Sequence, residues 1–355
     1  MSTIFLRLQN EPDRFWSFWD ECVNLTQAGP RYARSNVEWI FSIARSRNLL
    51  VEDRSFVYVR NGKPLAAVLL PVETHAGQRR MSQVGDFIYA PLFVDASVRK
   101  DVFGEIDRIA KEVQVVAAQF SVDPLSNKPY NYLQSYGYLD TTILNYCIDL
   151  TPENLLAACR HGHKYDINTM RKMPNVSAFV CDANTPDARA HHDAYRELHR
   201  KCSGRETRPK ETFDLQFEQL ITGDAILVGV KHQEQNVAYA YFQLQHGKSV
   251  YASGADDPDC IGLALYHLMI FTAMNAVRER GAHIMDTGQP SSPSPQFHYA
   301  PDHKQLNIGL FKRGFPGAYR SNFRGVRYYS RDAFAVDQAR FAGEYPALTN
   351  LQDPL

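Results

Sequence analysis

One order of elements occurs twice along this chain, and any fold it adopts has to accommodate both copies. Amphipathic spacing predicts helices over Asp13 to Leu25 and Ser35 to Arg47, followed by strand-like runs over 55–60 and 64–72. Asn61-Gly62 joins those two runs, and this pair favours a tight hairpin because a type I′ turn needs two residues that tolerate positive φ. A strand over Asp86 to Phe93, a helix over Ser97 to Val113, a strand over Val115 to Phe120 and another over Thr141 to Leu150 complete the set. The second half repeats it. Helices over Asp187 to Cys202 and Lys210 to Thr222 precede strands over Ala225 to Val230, Val237 to Leu244 and Ser249 to Ser253. A long helix from about Cys260 to Arg280, ended by Gly281, then leads into a short strand over His283 to Asp286. Its stripe of Leu263, Tyr266, His267, Ile270, Met274 and Val277 reads as the face that packs on a sheet. An order repeated once implies a duplicated α/β unit, with the junction near Leu150 to Pro174 and expected domains of 1–160 and 161–355. Each is expected to hold a mixed, mostly antiparallel sheet.

Composition removes several function classes. Lys plus Arg equals Asp plus Glu at 39 each, so no global field draws the chain to nucleic acid or an anionic membrane, and any basic site must be a local patch. The six cysteines contain no CxxC pair, which argues against a zinc ribbon and a disulfide framework; Cys147 and Cys181 lie in apolar strand-like runs and read as inert core thiols. Neither His161-x-His163 nor His191-His192 has partner spacing that completes a metal site, so no metal is assigned. No run of 18 or more apolar residues and no basic segment leading into an apolar run is present, and the chain is expected to be cytoplasmic.

The segment Gly309-Leu-Phe-Lys-Arg-Gly-Phe-Pro-Gly317 places Lys312 between Phe311 and Phe315 and among glycines. Where water is partly excluded, one positive charge stabilises a developing oxyanion far better than on an open surface, and glycines let backbone approach a ligand. Upstream, Asp286-Thr287-Gly288 ends the short strand; its carboxylate is placed either to hold or deprotonate an amine, or to cap the Gly288 loop. The basic helix His163-Lys164 to Arg171-Lys172 reads as a phosphate-holding face or a solvated one. Arg320, Arg324 and Arg327 alternate with Tyr319, Phe323 and Tyr328, a spacing that suits a single-stranded nucleic-acid end or an ordinary strand edge. His298, in a Pro/Ser-rich loop lying between Asp286 and Lys312, is an acid/base candidate or a surface residue.

Three of these places together resemble the Fem family of aminoacyl-transferases, whose members carry two acyltransferase domains of the GNAT kind. They are the basic helix from His163 to Lys172, the helix, Arg280-Gly281 and Asp286-x-Gly288 pattern within Leu263 to Gly288, and Phe311-Lys-Arg-Gly-Phe315 against the family's Phe-Lys-x-Gly-Phe-Gly. The resemblance covers about half of the chain. Pro316 stands where the family has glycine, Gln289 where it has a second glycine, and no coiled-coil arm lies between Cys202 and Thr222. The resemblance implies tandem GNAT-like domains, and an enzyme that joins an activated acyl group to an amine of a cell-envelope precursor or amino sugar. It implies Lys312 and Asp286 as catalytic residues, with Phe311, Phe315, Arg171, Lys172, Lys164 and Gly288 lining the substrate site. No permanently bound cofactor is expected. The donor is aminoacyl-tRNA or acyl-CoA, and the acceptor a nucleotide sugar or a lipid- or peptidoglycan-type precursor. A GNAT pyrophosphate loop, Q/R-x-x-G-x-G/A, uses bare backbone N–H groups at a helix start, whereas the corresponding Gly254 to Gly262 segment carries Asp256, Asp257 and Asp259. That charge tilts the donor toward aminoacyl-tRNA. An acetyl-CoA-dependent N-acyltransferase and a non-catalytic GNAT-like binding protein are the alternatives.

Overall fold

The computed structural model describes residues 3–349, which divide into two compact units. The first comprises the chain up to 144, residues 292–306 and the chain from 321 on; the second comprises 145–291 and 307–320. These are not the contiguous blocks 1–160 and 161–355. The strand Arg324–Tyr328 returns to pair antiparallel with Val115–Ser121, and Ile143–Asp149 enters the second unit's sheet by pairing with Ile284–Asp286. Both pairings are made across long sequence separations, which no local pattern encodes.

In the first unit, Thr3–Arg7, Phe56–Arg60, Lys63–Val68 and Leu92–Phe93 form an antiparallel sheet, and Asn61 and Gly62 take φ of 52° and 75° at its hairpin. The helices Pro12–Thr26 and Arg34–Ser46 share a core with it around Trp19, whose indole N–H donates to Tyr32 O at 2.8 Å. A second sheet runs Leu139–Asp140, Arg324–Tyr328, Val115–Ser121, Gln78–Met81, Pro71–His75, Leu50–Asp53. Within it Gln78–Met81 and then Ile88–Tyr89 run parallel to Val115–Ser121, so residues 82–87 leave the strand line and return to it. The helix Arg99–Glu112 buries Val102, Phe103, Ile106 and Ile109 in the same core as Phe120.

The second unit is one sheet ordered Val176–Cys181, Ala225–His232, Gln235–Gln245, Lys248–Asp256, Ile284–Asp286, Ile143–Asp149, Gly317–Asn322. Alternating side chains point to opposite faces of a strand. Accordingly Ala238, Ala240 and Phe242 pack with the helix Leu265–Glu279, while Tyr239 and Tyr241 pack with the helices Ala188–Ser203 and Lys210–Ile221. Of the expected helix stripe, Ile270, Met274 and Val277 are fully buried and Tyr266 and His267 half-buried. The helix starts at Leu265 rather than Cys260, because Gly262 takes φ 85° and ends the loop before it. From Val176–Cys181 to Lys248–Asp256 neighbouring strands are antiparallel, as are Ile284–Asp286 and Ile143–Asp149, whereas Lys248–Val250 run parallel to Ile284–Asp286, and from Tyr251 onward that pairing stops. The sheet therefore opens between these two strands, at the end where Asp286 leads into Gly288.

Candidate active site

Lys312 is the last residue of a helix, His303–Lys312, that sequence periodicity did not disclose. Glycine within a helix is costly, and Gly309 masks the pattern. A Cβ there would sit 3.2 Å from the Ser291 carbonyl oxygen, a close approach that glycine eases. The helix thus delivers Lys312 into the loop that follows Asp286. There Lys312 is 6 % exposed and its ammonium donates to Gly288 O at 3.0 Å. Gly288 itself takes φ 65°, which favours glycine and turns its carbonyl toward the lysine. Burial pulls the Lys312 pKa down to about 8, and the Asp286 carboxylate opposes that shift. An ammonium has three donors and one carbonyl occupies one of them, which leaves hydrogen-bonding capacity beside the opened strands.

Asp286 does not reach that opening as a free base. It is fully buried, accepts from Asn145 Nδ2 on both oxygens at 3.1 and 3.0 Å, and accepts the Gly288 N–H at 2.8 Å. Of the two roles the sequence left open, the geometry is that of the loop cap. Asn145 and Gln289 extend the brace: the Gln289 amide nitrogen donates to Asn145 Oδ1, and its oxygen accepts the Ser291 N–H at 2.8 Å. Gln289, a departure from the family's glycine, fixes the loop that aims Gly288 at Lys312. Neither Asn145 nor Gln289 was expected at the site. The available signal for Asn145 was a lone amide inside the apolar run Ile143-Leu-Asn-Tyr-Cys-Ile148, since a buried polar side chain requires partners.

Phe311 and Phe315 face elsewhere. Spaced four residues apart, they meet the imidazole of buried His163 at ring-centroid distances of 5.2 and 4.8 Å, and Phe311 meets His267 at 4.9 Å. His163 Nε2–H donates to Phe311 O at 2.8 Å, and burial holds its pKa below the usual imidazole value. Gly314 is what allows this packing, because a Cβ there would lie 2.1 Å from the ring. Pro316 does not disturb the turn: its carbonyl accepts Asp149 N–H at 2.9 Å, and Phe315 O accepts from Tyr146 Oη at 2.8 Å. The two phenylalanines therefore seat the Lys312 helix on the core of the unit.

The basic helix is His161–Lys172, and its cations do not converge. Lys164 donates to Ala157 O at 3.0 Å, Arg171 lies 5.9 Å over the Phe271 ring, and Lys172 is exposed. These contacts do not bring them together with Lys312 and Asp286. His298 lies in the first unit, 2.8 Å from Tyr328 Oη, and Arg324 and Arg327 belong to a paired strand there. Arg324 is buried beneath carbonyls and Arg327 pairs with Asp107 at 3.0 Å, so neither presents an open basic face. The acidic loop before Leu265–Glu279 is partly neutralised, with Lys201 Nζ at 2.6 Å from Asp257 and 2.7 Å from Asp259. Gly262 and Ala264 keep the two small positions of a pyrophosphate loop, with Asp259 at its Gln/Arg position. Among the described residues no group of three or more His, Cys, Asp or Glu side chains is arranged to hold a metal, and no helix is long and apolar enough to cross a membrane.

No protein-family model and no curated protein matches the chain. Solved structures do. A crystal structure of FemX superposes with a TM-score of 0.61 at 12 % identity, covering 95 % of this chain and 99 % of that one. L-PGS from Bacillus licheniformis gives 0.62 at 12 % identity over 95 % and 98 %. A tandem GNAT protein from the clavulanic acid biosynthesis pathway gives 0.51 at 15 % identity over 93 % and 99 %. The chain has the tandem GNAT-like acyltransferase fold that these proteins share.

Proposed function

We propose that this chain is an acyltransferase of the Fem-like kind, which joins an activated acyl or aminoacyl group to an amine. The observation that carries the reading is Lys312: a buried ammonium with one carbonyl partner, held where two parallel strands part. In such a reaction the neutral amine attacks the donor carbonyl, a C–N bond forms, and the carbonyl electrons move onto oxygen. The Lys312 ammonium donates a hydrogen bond to that oxyanion. As the C–O or C–S bond to the carrier breaks, the leaving group takes a proton and the amine gives one up. No covalent enzyme intermediate is needed. The Asp286, Asn145 and Gln289 brace keeps the Gly288 loop rigid, so the cation is positioned before charge develops.

The donor is read as an aminoacyl-tRNA, because Asp256, Asp257 and Asp259 crowd the helix start that would otherwise hold a CoA pyrophosphate. Lys201 bridging two of them, and the absence of a side-chain cap at Ala264, favour acyl-CoA as the second reading. The acceptor is an amine on a nucleotide sugar or on a lipid- or peptidoglycan-type precursor, met in the cytoplasm. The test is transfer of a radiolabelled group from aminoacyl-tRNA and, separately, from acetyl-CoA to a panel of such amines. Product from either donor that disappears in Lys312→Met supports transfer and identifies the donor. No product from either, with the protein folded, favours a GNAT-like binding protein.

A further inference from the structure

The first unit contains a cleft of about 1070 Å³, bounded by the Pro71–His75 and Gln78–Met81 hairpin, the 82–87 excursion, residues 298–300 and the helix Arg331–Thr349. It is large enough for a small organic ligand, and none of the chemistry assigned to Lys312 uses it. Its charges are unequal: three arginines line it against four carboxylates, Glu73, Asp86, Asp337 and Glu344. Asp337 is balanced by Arg80 at 2.8 Å and by Tyr328 Oη at 2.8 Å. Glu73 is not balanced. It is 2 % exposed and accepts from Ser82 Oγ at 2.8 Å and from the N–H groups of Val84 and Gly85 at 2.6 and 3.1 Å, and among the described residues no cation pairs with it. Those bonds keep the carboxylate in place under the 82–87 excursion, while Arg80, its cross-strand neighbour, makes its ion pair with Asp337 instead.

Gln119 supplies the second observation. It lies on Val115–Ser121 at the gap where the parallel partner strand departs, between the pairs Met81–Ala118 and Ile88–Phe120. It lines the cleft and is 1 % exposed; its amide nitrogen is 3.5 Å from Gly85 O, and its amide oxygen has no hydrogen-bond partner. Gly85 thus touches both the unbalanced carboxylate and the amide with the unused acceptor. A buried acceptor with no hydrogen-bond partner and a carboxylate with no ion-pair partner both favour the same thing, a cationic N–H donor. The same charges repel a phosphate or diphosphate. Ser82, Gln78 and His75 add hydrogen-bonding side chains to the walls, which suits a body rich in hydroxyls.

We propose that the first unit carries a separate binding site for a protonated amine borne on a polyhydroxylated body, the chemistry of an amino sugar, with Gln119 accepting from its ammonium and Glu73 supplying the field. The site is independent of the transfer chemistry assigned to Lys312.

Calorimetry on the full chain with glucosamine as the probe tests this, with N-acetylglucosamine as the uncharged control and glucose 6-phosphate as the anionic one. Glucosamine binds saturably, N-acetylglucosamine binds at least about tenfold more weakly, and Gln119→Leu loses about tenfold, the usual cost of a hydrogen bond to a charged group. Val336 lines the cleft and is 58 % exposed, so charges placed there leave the fold intact. Val336→Arg weakens glucosamine and Val336→Glu tightens it, each by about two- to fivefold. That pair decides the matter even if Gln119→Leu does not fold. Lys312→Met retains glucosamine binding whether or not transfer is lost, so the two readings fail separately. Absent glucosamine binding, equal binding of N-acetylglucosamine, preference for glucose 6-phosphate, or indifference to the sign of the charge at 336 overturns the proposal.

Discussion

Among the described residues two lysine or arginine side chains are buried, one in each unit, and the fold holds them in opposite ways. Arg324 in the first unit is 4 % exposed; it donates to Thr141 O at 3.1 Å and His298 O at 3.3 Å and lies 4.1 Å over the Phe87 ring. Burial lowers its pKa to about 10, so it stays charged at any physiological pH. Lys312 in the second unit has one carbonyl partner and a pKa near 8. A guanidinium spread over two carbonyls and an aromatic face is a fastening. An ammonium with unused donors beside an opened sheet is, on the proposed reading, a reagent. The two α/β units therefore hold their buried cations differently.

The sharpest way to break this contrast is Lys312→Met. Loss of one oxyanion donor lowers kcat by about 10²–10³-fold, roughly 2.7–4 kcal/mol, and Lys312→Arg restores part of it. An unchanged kcat accompanied by a shifted melting temperature makes Lys312 a second fastening. Arg324→Met, by comparison, strands two buried carbonyls and costs about 3 kcal/mol in urea unfolding of the first unit. If Lys312→Met destabilises the second unit as much, the two cations are alike after all.

Gly314→Ala tests the seating of the Lys312 helix. A Cβ at 2.1 Å from the His163 ring forces the aromatic cluster apart, and about 1–3 kcal/mol of stability is lost. Full stability in that variant means the helix is held by other contacts.

The smallest effect is in pH. A protonated Lys312 is required for oxyanion stabilisation, so kcat falls about tenfold per unit as pH rises above about 8. A rate that rises through the same range identifies Lys312 as a general base. Stability moves the other way. The folded lysine releases its proton at lower pH than the unfolded one, so the native state gains with pH from about 8 up to the ordinary lysine range. The melting temperature of Lys312→Met accordingly exceeds the wild-type value most below pH 8.

The features readable before any coordinates were those set by neighbours in sequence. The Asn61-Gly62 hairpin, the helices Pro12–Thr26 and Ala188–Ser203, and the buried face of Leu265–Glu279 all follow from residue spacing and turn chemistry. Lys312 stood out because its glycines and aromatics are contiguous. The helix His303–Lys312 did not, since Gly309 answers to a carbonyl on another segment. The strand Val176–Cys181 was read only as a strand-like run around Cys181 and left out of the repeated order: at the sheet edge most of its residues are only partly buried, and its alternation is blurred.

By itself the sequence determined the duplicated α/β order, the mostly antiparallel pairing and the lysine worth testing, because periodicity and turn propensity act over a few residues. Only the tertiary structure decided that residues 292–306 and the chain from 321 on return to the first unit, that Asp286 caps its loop through Asn145 rather than standing free, and that Phe311 and Phe315 grip His163 instead of lining a pocket. Each of those outcomes depends on which distant segment supplies a hydrogen-bond partner or fills a space. A buried donor, acceptor or ring is satisfied by proximity in three dimensions, and a linear pattern does not carry that information.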